Sequence, residues 1–505
     1  MNNIKSCGFR KILIANRGEI VLRVINTCKN LGINTVAVYT KGDKNKLIES
    51  AADRYVRIQG DSICSTYLNI NKIINIAKQH KVDAIHPGYG FLAENPRFAK
   101  ACKKNGITFI GPSAEVLEKA GHKIEAKYIA KNQGIPTIHG SEILKTEKDA
   151  HKFAKENGYP LILKSCSGGG GRGMRIARNR EDLISCFSTA MKELENSFKS
   201  QHIYAEKCVK AKHIEVQVLA DTHGNVIHLF DRECSIQRRF QKLIEEAPAS
   251  SIPTSIREQI GNTACQLIRS VDYVGAGTVE FLLTPTNEFY FLEINPRIQV
   301  EHGVTEMVTG VDIVKEQIRI AQGLPLSIRQ EDVKAKGHAI ECRIISECAR
   351  KNFAPSQGTI TGIDIAENNT PKINCRIRVD SALYPGINIH HSYDSLLAKL
   401  IVWGRSRRSA IKAMDKALKS SRIEGVNNTI CFYRFLMRQK CFLEGNAGTD
   451  FISEALVQKY SRHSLSPEKV AMIASAIYEH ETNHEITFSK PNKWVEEVRR
   501  EIIRE

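Results

Sequence analysis

The residues best suited to chemistry in this chain lie in one short run, residues 291–307, with the sequence FLEINPRIQVEHGVTEM. It begins as an apolar strand and then carries polar side chains at every second position, namely Glu293, Asn295, Arg297, Gln299 and Glu301. An extended backbone would place these side chains on one face, although Pro296 argues against a fully extended path. A packed core does not tolerate carboxylates, amides and a guanidinium that converge unless they bind ligands. The run therefore predicts a site that handles a metal-bound anion beside a basic group.

A pair of carboxylates predicts where the metal lies. Glu280 and Glu293 lie on two apolar runs, GTVEFLL and FYFLEIN, which the turn sequence TPTN separates. A hairpin would place them on neighbouring strands about 4.8 Å apart. Two buried carboxylates this close need a cation between them, and oxygen-only ligation favours Mg²⁺ or Mn²⁺ that bridges phosphates. The alternative, a pair of solvated side chains, conflicts with the apolar flanks.

A glycine loop, GGGGRG at residues 168–173, lies between two predicted strands, and Lys164 ends the first of them. Backbone without Cβ atoms approaches phosphate oxygens closely, and its N–H groups can cradle them. The loop is not a P-loop, because no GK[ST] follows and no helix begins there. We predict a mobile lid over a nucleotide, with a plain mobile loop as the alternative. The cluster Gln237, Arg238, Arg239 and Lys242 suits a solvated face equally well by itself.

The elements that position these residues follow from the periodicity of the chain. Residues 11–120 alternate short strands and helices, which predicts a parallel sheet wrapped by helices. Residues 121–210 predict a smaller insert, strands dominate from 211 to 320, and the part from 449 is helical and charged. Gly88, Gly90 and Ala93 match a dinucleotide fingerprint, but His86–Pro87 interrupts the strand-to-helix turn that it needs. We therefore do not predict a nicotinamide cofactor.

Composition limits the class of protein. A chain of 505 residues with 42% hydrophobic and 25% charged residues predicts a soluble protein of two to four domains. No apolar run approaches the roughly 18 residues that span a bilayer. The apolar run near the N-terminus, Ile12 to Ala15, is too short for a signal peptide. We therefore expect no membrane contact and a cytoplasmic location. The 14 scattered cysteines predict reduced thiols. The net charge of +18 is typical of proteins that bind nucleic acid. The lysines are dispersed along the chain, however, and we expect no nucleic-acid partner.

Six motifs occur in order: ILIANRGEI, HPGYGFLAEN, the lysine-led glycine loop, CSIQRRFQK, EINPRIQVEH with TEM, and HAIECRI. Over roughly residues 10–448 the chain resembles the biotin carboxylase component of biotin-dependent carboxylases, an ATP-grasp family. The resemblance implies an α/β fold with an N-terminal Rossmann-like (pre-ATP-grasp) domain at 1–120 and an ATP-grasp domain at 121–325, whose mobile lid spans about 136–209. An α+β C-terminal domain at 336–448 and a helical tail at 449–505 complete it.

The resemblance also implies a reaction. ATP and bicarbonate form carboxyphosphate, and CO₂ passes to biotin on a carrier protein. The cofactors would be ATP, two Mg²⁺ or Mn²⁺ ions, and biotin as carrier-bound substrate. The partners would be a second copy in a homodimer, a biotin carboxyl carrier protein and a carboxyltransferase subunit. The only lookalike of a biotin attachment site, Ala190-Met191-Lys192, continues with Glu193 inside a predicted helix. We therefore expect a free subunit that acts on a separate biotinylated partner.

Residue roles can be carried over by position. The resemblance assigns nucleotide binding to Lys123, Lys164, Gly168, Gly169, Gly170, Gly171, Glu206, Lys207, Val209, His213, Gln237 and Asn295. It assigns metal ligation to Glu280, Glu293 and Asn295. It assigns bicarbonate binding to Arg297, Gln299, Val300 and Lys242. Glu301 would be the general base, and Arg343 would stabilise the biotin enolate, with Arg297 and Lys242 beside them.

Four positions depart from the family pattern: His122, Ser167, Phe240 and Pro296. None replaces the proposed base, the metal carboxylates or Arg343, so we expect activity with altered nucleotide affinity. The alternatives are another ATP-grasp ligase that acts through an acyl phosphate and, from a different class, a nucleic-acid-binding protein. The final acceptor stays open among acetyl-CoA, propionyl-CoA, pyruvate and 2-oxoglutarate. The stand-alone architecture suits an acetyl-CoA carboxylase, and the long tail suits a two-subunit pyruvate carboxylase. A tail that docks a partner and a solvated appendage are equally open.

Overall fold

The computed structural model describes residues 8–165, 174–195, 202–250, 252–366, 375–390, 393–462, 467–483 and 497. Its first part is a five-stranded sheet in the order β3-β2-β1-β4-β5, with every pair parallel. The strands are β1 Lys11–Ile14, β2 Asn34–Tyr39, β3 Arg54–Arg57, β4 Ala84–His86 and β5 Thr108–Phe109. The helices are α1 Glu19–Asn30, α2 Lys46–Ala51, α3 Ile70–Gln79, α4 Pro96–Lys104 and α5 Ala114–Gly121. The predicted parallel sheet with helices is confirmed.

The dinucleotide fingerprint lacks its helix. Gly88 and Gly90 follow β4 with positive φ values of 63° and 68°, and the next helix begins only at Pro96. A bound pyrophosphate would need a helix N-terminus directly after the turn.

A smaller unit follows, with one three-stranded antiparallel sheet in the order β7-β6-β8. Its elements are α6 Lys123–Asn132, α7 Glu147–Asn157, β6 Leu161–Ser165, β7 Arg175–Ala177, α8 Arg180–Glu195 and β8 Ile203–Lys207. Leu161 and Leu163 on β6 pack with Leu183 and Phe187 of α8, which gives the unit its own apolar core. The predicted phosphate loop, Gly168 to Gly171, lies outside the described residues, as does Ser167.

One antiparallel sheet of eight strands carries the remainder, in the order β13-β12-β9-β10-β11-β14-β21-β19. Its first half and the helices between its strands are β9 Lys212–Ala220, β10 Val226–Arg238, β11 Gln241–Ala247, α9 Thr254–Arg269, β12 Gly275–Leu283, β13 Phe289–Asn295, α10 His302–Thr309 and α11 Ile313–Ala321. The strands β14, β21 and β19 of the C-terminal part extend the same sheet. Residues separated by more than a hundred positions therefore share one sheet face.

The C-terminal part adds short hairpins and helices around this sheet. Its elements are β14 His338–Ile345, β15 Glu347–Cys348, β16 Ala354–Pro355, β17 Gly358–Thr359, β18 Gly362–Asp364, β19 Cys375–Ser381, β20 Asn388–Ile389, β21 Leu396–Gly404, α12 Arg407–Ser420, β22 Arg422–Glu424, α13 Ile430–Met437, α14 Lys440–Leu443, α15 Glu454–Arg462 and α16 Pro467–Asn483. Short 3₁₀ helices cover Gln330–Asp332 and Ala349–Lys351.

The two tail helices differ in how they pack. Helix α15 places Val457 and Tyr460 in the C-terminal core, whereas α16 leaves Met472 70% and Tyr478 71% exposed. A truncation that spares the core therefore has to begin after α15. In the part of the chain that the structure describes, no helix combines the length and apolar character needed to cross a membrane, and the cysteines there are free thiols.

Candidate active site

The predicted hairpin is confirmed and brings together the two carboxylates that were predicted to bind metal. Strands β12 and β13 pair with Glu280 directly opposite Glu293, and the turn between them closes through Asn287, which adopts a φ of 64°. The Asn295 amide nitrogen donates to Glu280 Oε1 at 2.8 Å and to Glu293 Oε1 at 3.5 Å. Both carboxylates therefore face one point between the strands.

Cationic groups surround this pair. Lys123 Nζ lies 3.0 Å from Glu293 Oε2, and Lys242 Nζ lies 3.2 Å from Glu280 Oε1. His213 Nε2 contacts Glu280 Oε2 at 2.7 Å. Burial raises the pKa of the Glu280 carboxyl, but Lys242 and His213 outweigh it and hold that pKa well below the usual range. The carboxylate is therefore ionised and available to a cation.

The donor set fits a hard divalent cation. Glu280 and Glu293 offer carboxylate oxygens from adjacent strands, and such oxygens are the ligands that Mg²⁺ and Mn²⁺ prefer. The Asn295 amide oxygen accepts from Arg297 Nη2 at 3.1 Å while its nitrogen faces the carboxylates. Asn295 can therefore ligate a cation through oxygen only after its amide turns over.

The run that follows β13 is not one extended strand, which corrects the expected single face. Strand β13 ends at Asn295, the Arg297 N–H donates to the Asn295 carbonyl at 2.8 Å, and α10 begins at His302. Pro296 offers no N–H for a further ladder bond, so the chain bends there. Glu301 precedes α10 at its N-cap position instead of lying in the strand.

The bend places Glu301 between two cations. The carboxylate is only 2% exposed, with Lys242 Nζ 2.6 Å from Oε1 and Arg343 Nη2 2.9 Å from Oε2. Burial raises the pKa of Glu301, but Lys242, Arg343 and the nearby Arg232 lower it well below the usual range. A general base needs a pKa nearer the working pH. The pKa of Glu301 would rise if an anionic substrate took over the two neighbouring cations.

Arg297 and Gln299 also lie at the site, each with a protein partner. Arg297 Nε pairs with Glu94 Oε1 at 2.8 Å, and Glu94 belongs to the HPGYGFLAEN motif of the first domain. Gln299 Nε2 donates to Glu280 Oε1 at 2.8 Å. The Val300 carbonyl accepts from Lys399 at 3.0 Å. The four predicted bicarbonate residues thus lie around Glu280 and Glu301, with Lys242 in contact with both acids.

Arg232 is a central residue that sequence reasoning missed. It is fully buried, and its guanidinium donates to five side chains within 3.1 Å: Glu215, Gln217, Thr278, Gln299 and Thr305. Glu215 also accepts from Lys242 at 2.5 Å. A signal existed in β9, where His213, Glu215 and Gln217 interrupt an apolar strand at every second position and must share one face.

Glu245 was missed as well. Its carboxylate lies 2.5 Å from Arg343 Nε, so Arg343 bridges Glu245 and Glu301. Burial raises the pKa of Glu245 to about 7 despite Arg343. The acidic pair in KLIEEAP was the only sequence signal for this residue.

The predicted nucleotide residues form a second group beside the small sheet. Glu206 accepts from Lys164 Nζ at 2.6 Å and from Lys127, which sequence reasoning missed. Lys207 turns its ammonium to the Asn157 and Tyr159 carbonyls at 2.7 and 3.2 Å. Lys207 therefore has only its backbone to offer a nucleotide base.

The remaining predicted nucleotide residues are more dispersed. Gln237 Nε2 lies 3.4 Å from His213 Nδ1, which connects it to Glu280 through the His213 ring. Val209 is half-buried after β8. His122 uses its Nδ1 to cap α6 at the Glu125 N–H, 3.4 Å away, so this departure from the family pattern has a local helix-capping role.

Replacement of Glu206 by glutamine should lower the thermal stability of the protein, by an amount that depends on pH. Burial raises the pKa of Glu206, but Lys164 and Lys127 outweigh it and lower that pKa from 4.5 to about 2. A lowered folded-state pKa stabilises the fold above pH 4.5, and this stabilisation, at most about 3 kcal/mol, is lost as the pH falls towards 2. Thermal melting at pH 6 and 3.5 should therefore show Glu206→Gln well below wild type at pH 6 and closer to it at pH 3.5.

The matched control is Glu125→Gln, an exposed residue on α6. Its melting temperature should follow wild type at both pH values. A gap between wild type and Glu206→Gln that stays constant with pH would contradict the lowered pKa.

A parallel-sheet domain, a small three-stranded sheet and an antiparallel sheet with paired carboxylates that lysines contact define an ATP-grasp enzyme. Three family models match in turn: "Biotin carboxylase, N-terminal domain" at residues 8–117, "Carbamoyl-phosphate synthase L chain, ATP binding domain" at 122–329 and "Biotin carboxylase C-terminal domain" at 341–454. The chain belongs to the biotin carboxylase family of ATP-dependent ligases.

Individual relatives and solved structures are similar along almost their whole length. Biotin carboxylase 1 of Bacillus subtilis is 46% identical over 446 residues, which cover 88% of this chain and 98% of that protein. A pyruvate carboxylase subunit of Methanothermobacter thermautotrophicus is 44% identical over 488 residues, covering 93% and 98%. The biotin carboxylase domain dimer of Hydrogenobacter thermophilus 2-oxoglutarate carboxylase, solved with MgADP, ADP and bicarbonate, has a TM-score of 0.86 and 44% identity, covering 91% and 100%.

Proposed function

We propose that this chain phosphorylates bicarbonate with ATP and carboxylates N1 of biotin that a separate carrier protein presents. The observation that carries the proposal is the position of Glu301. Its buried carboxylate lies between Lys242 Nζ at 2.6 Å and Arg343 Nη2 at 2.9 Å, and Lys242 also contacts the carboxylate of Glu280. A base, two cations and a candidate metal ligand therefore share one small volume.

The first step needs a base because bicarbonate is a weak nucleophile. Lys242 and Arg297 seat the anion, and Glu301 takes its proton as the bicarbonate oxygen attacks the γ-phosphorus. The bond from that phosphorus to the ADP oxygen breaks, which leaves ADP and carboxyphosphate. When bicarbonate engages Lys242, Glu301 loses part of the attraction that keeps its pKa low, so its basicity rises at the moment it is needed.

The second step uses Arg343. Carboxyphosphate breaks its carbon–oxygen bond to give CO₂ and phosphate, and the phosphate removes the N1 proton of biotin. The N1 nitrogen then attacks CO₂ to form carboxybiotin. Negative charge that develops on the ureido oxygen needs a fixed cation, and Arg343 remains charged at any working pH. Glu245 and Glu301 hold its guanidinium from two sides.

Metal ions and lysines neutralise the negative charge of the ATP phosphates. Glu280, Glu293 and a turned Asn295 would hold Mg²⁺ or Mn²⁺, two ions in all, which supplies positive charge to the transferred phosphoryl group. Lys123 now pairs with Glu293 and Lys164 with Glu206. Both lysines exchange a carboxylate for phosphate oxygens when ATP binds.

The partners are a carboxyltransferase subunit, which takes the next half-reaction, and a biotin carboxyl carrier protein. A homodimer is proposed as well, supported by the Hydrogenobacter thermophilus domain that was solved as a dimer. Relatives act in 2-oxoglutarate and pyruvate carboxylases, so the acyl acceptor stays open. The cytoplasmic location and the absence of nucleic-acid binding stay predictions from the sequence.

The test uses the full chain with free biotin as the probe. Release of ADP should require bicarbonate and divalent metal, and biotin should stimulate it. Labelled bicarbonate should enter an acid-labile product only when biotin is present. Removal of metal with EDTA should stop both signals. Bicarbonate-dependent ATP cleavage that ammonia stimulates and biotin does not would instead indicate an ATP-grasp ligase of the carbamoyl phosphate type.

A further inference from the structure

Lys399 carries a buried charge that the mechanism above does not use. It lies in the middle of β21, within the apolar sequence LLAKLIVWG, and its side chain is 0% exposed. A buried ammonium group is costly unless partners compensate it. The groups that contact the Lys399 ammonium therefore indicate the role of this residue.

Three partners from three parts of the chain meet at this ammonium group. Lys399 Nζ donates to the Val300 carbonyl at 3.0 Å, and it lies 3.1 Å from Glu19 Oε1 and 3.3 Å from Asp380 Oδ2. Glu19 opens α1 beside the parallel sheet, Val300 lies in the bend before α10, and Asp380 lies in the edge strand β19. One N–H of the ammonium group thus donates to a carbonyl, and the two carboxylates compensate its charge as ion pairs.

The contact with Val300 bears directly on the proposed base. The Val300 carbonyl belongs to the peptide that leads into Glu301, and rotation of that peptide would swing the Glu301 side chain away from its cations. The preceding carbonyl, of Gln299, is held by His302 Nδ1 at 2.8 Å. Both carbonyls before Glu301 are thus fixed by buried side chains.

We infer that Lys399 is a positioning residue that orients Glu301 by holding the Val300 carbonyl. The inference rests on the proposed role of Glu301 as the general base. Lys399 acts through the backbone and touches no substrate. Catalysis depends on such placement, since an error of about 1 Å can cost about a hundredfold in rate.

A purely structural role would be neutralisation of Glu19 and Asp380. Each acid keeps a second partner without Lys399: the Tyr89 hydroxyl donates to Glu19, and Arg378 binds Asp380 through two bonds of 2.8 and 2.7 Å. The fold therefore has means to survive loss of the lysine. The Val300 carbonyl has no other bond partner among the described residues, so its orientation depends on Lys399.

The test compares Lys399→Met with Asp380→Asn as the matched control. Lys399→Met should lower kcat of biotin-stimulated, bicarbonate-dependent ATP cleavage about 10- to 100-fold, with KM for ATP within about threefold of wild type. The acid limb of its pH–kcat profile should also move, because Glu301 leaves its cations. Asp380→Asn disturbs the same ion cluster but leaves the bond to Val300, so it should lower the melting temperature and keep kcat within about threefold of wild type.

Lys399→Gln provides a second variant if the methionine variant folds poorly. The amide is polar but ends one bond short of the ammonium position, from which Lys399 Nζ holds the Val300 carbonyl at 3.0 Å, so kcat should fall as in Lys399→Met. Wild-type kcat in Lys399→Gln, or equal kcat in Lys399→Met and Asp380→Asn, would overturn the inference. A wild-type chain without biotin-stimulated turnover would refute the proposed function instead.

Discussion

Glu301→Gln should abolish bicarbonate-dependent ATP cleavage while ATP still binds. A positioned base contributes about 10²- to 10⁴-fold to proton transfer, and glutamine cannot take a proton at this position. The fold should persist, because Lys242 keeps Glu215 and Glu280 and Arg343 keeps Glu245. Steady-state turnover and nucleotide binding, measured on the same preparation, separate loss of chemistry from loss of structure.

The matched control is Glu316→Gln on α11, because Glu316 has no proposed role in binding or catalysis. Glu316 is 2% exposed and accepts from the Ser327 N–H and hydroxyl at 3.0 and 2.6 Å. Its replacement by glutamine should cost stability at most and leave kcat within about threefold of wild type. Near-normal turnover in Glu301→Gln would remove Glu301 from the role of base.

Arg232→Met should destabilise the chain by about 3–5 kcal/mol, the usual cost of breaking a buried ion pair. Among the described residues, the guanidinium is the one group that joins Glu215, Gln217, Thr278, Gln299 and Thr305. A methionine leaves these polar groups buried without their donor. The melting temperature should fall by several degrees, and any folded fraction should bind bicarbonate poorly, because Gln299 loses its support.

Arg269→Met serves as the control for this substitution. Arg269 is exposed at the end of α9 and donates to the Val226 carbonyl at 3.1 Å. Its loss should change stability by no more than about 0.5 kcal/mol. Equal melting temperatures for the two variants would show that the Arg232 network contributes little net stability, as happens when desolvation of a buried charge cancels its attractions.

Each cation assigned to an anionic substrate is paired with a carboxylate in this structure. Lys123 contacts Glu293, Lys242 contacts Glu301, and Arg297 contacts Glu94. The site is therefore internally neutralised, and in the proposed mechanism substrate anions and metal cations would replace these internal pairs. These internal pairs avoid the repulsion that the clustered cations would otherwise experience in the absence of substrate.

Local features of the chain were predictable from sequence. The alternation of apolar runs with turn residues predicted the parallel sheet and the hairpin that sets Glu280 opposite Glu293, because strand periodicity and turn chemistry are local properties. The spaced motifs predicted the family and the neighbourhood of Glu301 and Arg343. The alternating polar residues of β9 were equally local, and they could have revealed Glu215.

Tertiary structure decided the contacts between distant parts. Strand order places β14 and β21 on the sheet that carries the carboxylate hairpin, and only that order brings Arg343 to Glu301 and Lys399 to Val300. Periodicity shows which face a residue occupies, whereas its partners depend on which strands become neighbours, and no short stretch of sequence contains that information.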